Sequence, residues 1–367
     1  MATTTIKEVT NYLETIAPKS YQESYDNCGL LTGNPNWEIK GILVALDCIE
    51  SIVDEAIATK CNLIVAHHPI LFRSLKKLNG QNYVERTIIK AIKNDIAIYA
   101  IHTNLDNVFT GVNKKIADKI GLIKVRVLLP KAGTLMKLTT FIPIDKKEDV
   151  VKALHSAGAG NIGNYQNCSF QIVGEGTFQP NEKASPTIGR KEKLEKVQEV
   201  RVEVLFAANL KSKILTALKE NHPYEEVAYY LHSLENENQE VGAGMIGELE
   251  KPMELLPFLS GLKSIMNTSC IRYTSPTGSK IKRVAICGGA GSFLLPQAIV
   301  AKADIFISAD FKYHEFFDAD GRIVVADIGH YESEQYTKDL LSEVLNEKFT
   351  TFATTFSKTN TNPISYL

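Results

Sequence analysis

The chain has 367 residues, of which 44% are hydrophobic and 23% charged, a composition typical of a globular protein with two or three cores. Its formal net charge of -1 provides no overall positive field, which argues against a nucleic-acid partner or an anionic membrane surface. The longest apolar runs have the length of a strand and are far shorter than the roughly 20 residues that span a bilayer. Composition therefore predicts a soluble protein that does not bind membranes.

The cysteines and the N-terminal segment both favour a cytoplasmic protein. The cysteines form no CxxC pair and have no regular spacing, which argues against a disulfide framework and against a thiolate zinc site. Residues 1–18 lack the basic start and apolar centre of a signal peptide, and their apolar positions instead predict an amphipathic helix.

The two outer parts of the chain share one pattern. Apolar, strand-like runs alternate with helix-like stretches from about Ile6 to Val127, and the same alternation returns after about Val241. Strands that are nearly all apolar, separated by helices, indicate a mostly parallel sheet that is covered on both faces. We therefore predict a split three-layer α/β domain formed by residues 1–130 and 241–367.

The middle of the chain, residues 131–240, has a different pattern. A strand, a helix and a second strand are followed, after a polar linker at 181–198, by another strand, helix and strand. Two consecutive βαβ units are typical of the ferredoxin-like fold. This part is predicted to be an inserted α+β domain.

Three apolar strand-like runs stop at the point where metal-ligand residue types begin. In an open α/β sheet the carboxyl ends of parallel strands form one edge, where ligands usually bind. We therefore expect these side chains to converge there, although any single histidine at a strand end is more often a cap or a core residue. The segments contain His67 and His68, His102 and Asp106, and His330 and Glu334.

The spacing within these segments also suits metal binding. His330 and Glu334 are four residues apart, so in a helix both side chains point to one face. His67 and His68 are adjacent, so their side chains diverge, which suits coordination of two different ions. Imidazole and carboxylate ligands without thiolates favour zinc, iron or manganese.

Two further histidines have less certain roles in the sequence. Asp310 and His314 follow another apolar run and are again four residues apart, while His102 precedes the better carboxylate ligand Asp106. All three are interpreted as hydrogen-bond partners that orient the ligand imidazoles. They could also be ligands, or Asp310 could be a helix N-cap beside an unrelated histidine.

A glycine-rich turn, Gly288-Gly289-Ala290-Gly291-Ser292, connects a predicted strand to a helix. Gly288, Gly289, Gly291 and Ser292 could present backbone N–H groups to a phosphate. The turn lacks the lysine of a P-loop and the full Rossmann spacing, so glycines serving only a tight turn are an equal alternative.

Several segments together resemble the Nif-three-like family of dinuclear-metal-centre proteins, whose members are often named GTP cyclohydrolase I type 2 homologues. The matching motifs, in the order found in the family, are DNCGL at 26–30, AHHP at 66–69, HTNLD at 102–106, GGAGS at 288–292, ADFKYHEFFDA at 309–319 and DIGHYESE at 327–334.

The resemblance implies a metal site, an inserted domain and an assembly. The family's ligands carry over onto residues of the segments above, with no departure at any position. The middle of the chain resembles the CutA- or P-II-like insertion of long bacterial members, and the resemblance implies a toroidal homohexamer. The implied ligands of two divalent ions are His67, His68, Asp106, His330 and Glu334.

Two functions follow as hypotheses. Five ligands cannot saturate two ions, so water would fill open positions, with Glu334 as the candidate bridging carboxylate. This favours a metal-dependent hydrolase acting on a nucleotide or another phosphorylated small molecule, and the resemblance implies ring-opening hydrolysis of GTP. The alternative is a non-catalytic regulatory or metal-handling protein with the inserted domain as sensor or lid.

Overall fold

The structure is a computed structural model that describes residues 3–275, 278 and 280–367. The chain folds into two compact units. The outer unit comprises Met1–Pro130 and Gln239–Leu367, and the inserted unit comprises Lys131–Asn238. Both units combine helices and strands, so the predicted α/β class with an inserted α+β part is confirmed.

The strands are short in the outer unit and longer in the inserted unit. In chain order they are β1 (Gly29–Thr32), β2 (Ile42–Ala45), β3 (Leu63–Ala66), β4 (Ala97–Ala100), β5 (Ile123–Lys131), β6 (Leu135–Pro143), β7 (Phe170–Phe178), β8 (Glu195–Ala207), β9 (Tyr229–Leu234), β10 (Asn238–Met253), β11 (Arg272–Tyr273), β12 (Ile281–Ala290), β13 (Ile305–Ala309), β14 (Val324–Asp327) and β15 (Thr354–Phe356).

The helices of the described residues are α1 (Ile6–Ile16), α2 (Glu50–Ala58), α3 (Tyr83–Lys93), α4 (Thr103–Asp106), α5 (Val112–Ile120), α6 (Lys147–Ser156), α7 (Lys211–Asn221), α8 (Leu255–Ile265), α9 (Leu295–Val300), α10 (His330–Glu334) and α11 (Thr337–Lys348). Short 3-10 segments lie at Lys19–Tyr21, Ile144–Lys146, Ala208–Leu210, Ser292–Leu294 and Tyr313–Ala319.

The outer unit contains two sheets. The first has the order β1-β4-β3-β2-β15, and the second has the order β11-β14-β13-β12-β10-β5. In the first sheet β4, β3, β2 and β15 are parallel and β1 is antiparallel to β4. In the second sheet β12, β13 and β14 are parallel, whereas β10 and β11 pair antiparallel with them.

The sequence led us to expect one mostly parallel sheet, and the structure corrects that detail. An apolar run indicates a strand that is buried on both faces, but it does not indicate which sheet the strand joins. One hydrophobic core covers a face of each sheet and includes α1, α5, α8 and α11. Helices α2 and α3 cover the other face of the first sheet, and α9 covers the other face of the second.

The inserted unit is a four-stranded antiparallel sheet with the order β7-β8-β6-β9. The first and third strands of the unit, β6 and β8, are therefore central, which is the ferredoxin-like arrangement. Helices α6 and α7 pack on one face of the sheet through residues such as Val150, Leu154 and Ile214.

Neither unit contains a helix suited to a bilayer: among the described residues, every helix is too short or too polar to cross one. All six cysteines are free thiols, and Cys48, Cys61 and Cys287 are buried.

Candidate metal centre

The predicted ligand residues of the outer unit converge beside the carboxyl ends of parallel strands from both of its sheets. His67 and His68 follow β3, and Asp106 ends α4 directly after β4, so these residues extend from the first sheet. His330 and Glu334 form the first and last residues of α10, which follows β14 of the second sheet. The site therefore requires both sheets.

Glu334 lies at the centre of the cluster. Its Oε2 is 2.9 Å from His68 Nε2 and 3.2 Å from His330 Nε2. Its Oε1 is 3.8 Å from His67 Nε2, which in turn is 3.6 Å from Asp106 Oδ1. The potential metal ligands around Glu334 thus form two groups, His68 with His330 and His67 with Asp106. Each group lies beside a different oxygen of Glu334.

Local backbone structure explains how His330 and Glu334 face the same point. Gly329 precedes the helix with a φ of 92°, a conformation that favours glycine and turns the chain out of β14. One helical turn then aligns residues four positions apart. The Glu334 side chain is only 3% exposed, so its charge must be balanced by the neighbouring groups.

Two buried atoms of the cluster have no hydrogen-bond partner among the described residues. His67 Nε2 and Asp106 Oδ1 form no hydrogen bond with any described residue. Buried polar atoms are almost always hydrogen bonded, and an unpaired one at a site calls for an explanation. Imidazole nitrogen and carboxylate oxygen are ligands for zinc, iron and manganese, so a divalent ion between these atoms would satisfy both. The donor set fits a metal.

The three ligand imidazoles are oriented by hydrogen bonds at Nδ1. His67 Nδ1 donates to the carbonyl oxygen of Ile101 at 2.9 Å, which leaves Nε2 as an acceptor that faces the cluster. The Nδ1 atoms of His68 and His330 lie 2.7 Å from Asp47 Oδ1 and 2.8 Å from Asp310 Oδ2, respectively. Such partners fix the tautomer and raise the basicity of a ligand.

Asp47 was not identified from the sequence. It follows β2 in the segment GILVALD, so the signal that identified the other segments, a polar residue directly after an apolar strand, was present. Asp310 lies beside His330, in agreement with its interpretation as an orienting residue.

His102 lies beside the two adjacent histidines. Its ring centroid is 5.3 Å from those of both His67 and His68, and the three residues have ligand atoms close enough to hold an ion. Its Nδ1 is 2.8 Å from Asp26 Oδ1. Burial opposes ionisation of Asp26, but hydrogen bonds from His102 and Thr103 outweigh it and hold the pKa of Asp26 far below its usual range.

His314 does not join the cluster, which corrects its interpretation as an orienting residue. Its side chain is exposed, and its ring packs against Tyr313 and Phe317. The four-residue spacing of Asp310 and His314 would align their side chains in an α-helix, whereas the chain forms a 3-10 segment at Tyr313–Ala319. A 3-10 turn does not align residues four positions apart.

The glycine-rich turn makes room for Glu334. The N–H of Gly288 donates to Asn113 Oδ1 at 3.0 Å, and that of Gly289 donates to Ser333 Oγ at 2.9 Å. These two donors are therefore used within the protein and are not free for a phosphate. A Cβ atom at Gly289 would lie 2.4 Å from Glu334 Oε1, so only glycine leaves space for that carboxylate.

The surroundings of the two carboxyl groups in the cluster shift their pKa values in opposite directions. Burial opposes ionisation of Glu334, but His330 and the other imidazoles outweigh it and hold its pKa well below the usual range. Burial raises the pKa of Asp106 well above its usual range, and the charge of Glu334 adds to the effect. Burial also opposes protonation of His68, yet Asp47 and Glu334 raise its pKa to about 9.

A cavity of about 470 Å³ opens above the cluster. Its floor includes His68, His330 and Glu334, and the rings of Tyr25 and Phe293 form part of its wall. Among its described lining residues there is no lysine or arginine. Its charged lining residues are therefore carboxylates and the histidines of the cluster, and its wall is partly aromatic.

Comparisons with known proteins identify the family. Residues 4–363 match the family model described as Duf34/NIF3 (NGG1p interacting factor 3). The chain belongs to the Duf34/NIF3 family. A Duf34/NIF3 relative from Bacillus subtilis, named GTP cyclohydrolase 1 type 2 homolog, is 37% identical over 98% of both chains. A relative of the same name from Halalkalibacterium halodurans is 38% identical, again over 98% of both chains.

Several solved structures share the fold. The Bacillus cereus protein related to NIF3 matches with a TM-score of 0.88 and 36% identity over 100% of both chains. A Staphylococcus aureus protein matches with a TM-score of 0.78 and 31% identity, also over 100% of both chains. HcgD from Methanocaldococcus jannaschii, at 18% identity and a TM-score of 0.57, covers 96% of this chain and 98% of its own, and shares the fold alone.

Proposed function

We propose that this protein is a divalent-metal-dependent hydrolase with two ions per subunit. The observation that carries the proposal is the division of the donors into two groups that share Glu334 through different oxygens. A carboxylate with this placement is suited to bridge two ions. The proposed ligands are His67, His68, Asp106, His330 and Glu334.

Zinc is the proposed metal, with iron or manganese as alternatives, because the donors are imidazole and carboxylate without thiolate. Two bound ions would polarise a water molecule and a substrate oxygen. The protein side chains prepare the site for this chemistry. His67 presents an unprotonated Nε2, and the Nδ1 partners Asp47 and Asp310 increase the basicity of His68 and His330.

The proposed substrate is a nucleotide or another phosphorylated small molecule. Tyr25, Phe72 and Phe293 lie around the cavity, and exposed rings of this kind can stack on a flat base. Because the described lining contains no lysine or arginine and the histidines would be metal ligands or their neighbours, the metal ions would balance the phosphate charge. The relatives named GTP cyclohydrolase 1 type 2 homolog make GTP the first substrate to test.

We further propose that the protein is a cytoplasmic homohexamer. The assembly rests on the resemblance of its motifs to the Nif-three-like family, and the compartment rests on free cysteines that suit a reducing environment. Light scattering of the purified protein should give a mass six times that of the 40.6 kDa chain.

The deciding experiment combines elemental analysis with a substrate screen. The protein is purified anaerobically, its metal content is measured, and nucleotides and phosphoesters are tested with zinc, manganese and iron. Turnover that requires metal and disappears in the His67→Ala, His68→Ala double variant supports the hydrolase. Bound metal without turnover of any compound supports the non-catalytic regulatory alternative. Turnover that survives in the double variant contradicts the proposed site.

A further inference from the structure

The inserted unit contains a separate cavity of about 480 Å³, on the face of its sheet opposite to α6 and α7. Strands β6, β7, β8 and β9 each contribute a lining residue, and the segment between β7 and β8 covers one side. Two hydrogen bonds hold that segment in place. Ser185 N–H donates to Glu225 Oε1 at 2.8 Å, and Thr187 Oγ1 donates to the carbonyl oxygen of Pro223 at 2.8 Å.

Four aromatic rings line this cavity. Phe141 and Tyr230 meet edge to face with ring centroids 5.8 Å apart, and Phe178 and Tyr224 form a second pair at 6.1 Å. Tyr230 is 57% exposed, so much of its ring surface is available to a ligand. Aromatic faces attract both apolar groups and cations.

A buried carboxylate lies within the same cavity. Glu199 is only 9% exposed, and its Oε1 accepts a hydrogen bond from Tyr224 Oη at 2.8 Å. Its Oε2 has no hydrogen-bond partner and no cation within ion-pair distance among the residues that the structure describes. Gly176 leaves space beside this atom, since a Cβ there would lie 2.1 Å from Glu199 Oε2. Because this oxygen lies at the cavity and makes no hydrogen bond within the described residues, it is available to accept one from a ligand.

The remaining charges of the cavity have the same sign. Glu225 and Glu226 also line it, whereas its described lining contains no lysine or arginine. A bare metal ion is a poor match, because no group of three converging metal-ligand residues within the described part of the chain includes Glu199. The volume and the aromatic rings instead suit a ligand with an apolar body.

We propose that this cavity binds an organic cation that carries N–H donors, namely an alkylammonium or alkylguanidinium compound. One N–H group donates to Glu199 Oε2, and the positive charge of the ligand pairs with the carboxylates of the cavity. The alkyl chain contacts Phe178 and Tyr230. A quaternary ammonium compound has no N–H group and therefore binds more weakly.

The test uses isothermal titration calorimetry on the full chain with agmatine and putrescine, and with hexamethonium as the quaternary comparison. Glu199→Gln retains an acceptor for Tyr224 but removes the charge, so it is expected to weaken agmatine binding at least about tenfold. The matched control is Glu203→Gln on the same strand, whose carboxylate contacts Lys137 and Arg201 outside the cavity. Its affinity for agmatine should equal that of the unaltered protein.

Tyr230→Leu provides a second variant that does not depend on the buried carboxylate. Because Tyr230 is largely exposed, the substitution leaves the core of the sheet intact, and it is expected to weaken binding severalfold. The proposal is overturned if neither agmatine nor putrescine gives saturable binding. It is equally overturned if Glu199→Gln and Tyr230→Leu both bind agmatine as the unaltered chain does, or if hexamethonium binds as tightly as the N–H compounds.

Discussion

Glu334 Oε2 lies 2.9 Å from His68 Nε2, although 266 positions separate the two residues in the chain. His68 follows a strand of the first sheet, and Glu334 ends a helix that follows the second sheet. The contact therefore exists only when the two sheets are packed together. A metal ion bound here would add its binding free energy to the stability of that packing.

Replacement of Glu334 by glutamine is expected to remove all metal from the outer unit, because the proposed bridging carboxylate serves both donor groups. Metal per chain, measured by elemental analysis after dialysis, should fall from about two to near zero. Glu343→Gln is the control, since Glu343 is 64% exposed and pairs only with Lys115. Full metal content in Glu334→Gln would contradict the shared-ligand arrangement.

Replacement of Gly289 by alanine is expected to lower metal affinity without any change of a ligand. The new methyl group would lie 2.4 Å from Glu334 Oε1 and would displace that carboxylate. Gly321→Ala is a matched control, because its φ of +64° is close to the +62° of Gly289 but nothing lies within 4 Å of its Cβ position. The left-handed backbone strain should lower the free energy of unfolding of both variants by about 1–2 kcal/mol, as measured by thermal unfolding. Equal metal affinity in the two would show that the glycine serves only the turn.

The orienting carboxylates should tune affinity rather than abolish binding. Asp310→Asn is expected to weaken metal binding by about 10–100-fold, since Asp310 fixes the His330 ring from 2.8 Å. His314→Ala is the comparison, because His314 follows closely in the chain but is exposed and packs against Tyr313 and Phe317. Competition with a chromogenic chelator gives both affinities. A loss in His314→Ala as large as that in Asp310→Asn would contradict the assignment.

Metal binding should release protons at neutral pH. Without metal, burial opposes protonation of His68 and His330, but the adjacent carboxylates outweigh it and raise their pKa values to about 9 and about 11. Both values exceed the roughly 6.5 of an unfolded histidine, so protonation stabilises the metal-free fold at low pH. The contribution of His68 is lost as pH rises through about 9, and that of His330 is lost as pH rises through about 11.

A metal ion requires neutral imidazoles, so its apparent affinity should increase with pH, first as His68 loses its proton near pH 9 and further as His330 does so near pH 11. Calorimetry of zinc binding in two buffers of different ionisation enthalpy counts the protons released. The count at pH 7 should exceed the count at pH 9.5, where His68 is neutral without metal. A count of zero released protons at pH 7 would show that the imidazoles are already deprotonated before metal binds.

The inserted unit should be removable. Strands β5 and β10, which lead into and out of it, are neighbours in the second sheet. A short linker from Lys131 to Glu240 should therefore leave a folded protein that retains its metal, as judged by circular dichroism and elemental analysis. A metal-free or unfolded product would mean that the outer unit depends on the insertion.

Much of the site follows from one sequence signal, the point where an apolar strand meets a polar residue. That signal identified His67, His68, Asp106, His330 and Glu334, and the structure brings all of them together. The fold class and the ferredoxin-like insertion were predictable from the periodicity of apolar residues. A strand that is buried on both faces is nearly all apolar, whereas a strand that is buried on one face alternates apolar and polar residues.

Other features depend on contacts that no local pattern records. The division of the strands into two sheets is set by packing of helices such as α5 and α11 in a shared core. The Nδ1 partner of His68 is Asp47, which lies 21 positions earlier and follows the neighbouring strand, so the parallel register of the two strands brings them together. The error at His314 came from assuming an α-helix where a tighter helix forms.

The placement of the ligands on both sides of the insertion has a consequence for biosynthesis. His67, His68 and Asp106 leave the ribosome before the inserted unit is made, and Glu334 leaves after it. Translation of the roughly 230 residues between Asp106 and Glu334 takes on the order of 10–50 s at typical rates of synthesis. During this interval the nascent chain offers an incomplete ligand set without the shared carboxylate. Selection of the proposed metal would therefore belong to the finished fold, and the ions available to the completed protein would determine which metal occupies the site.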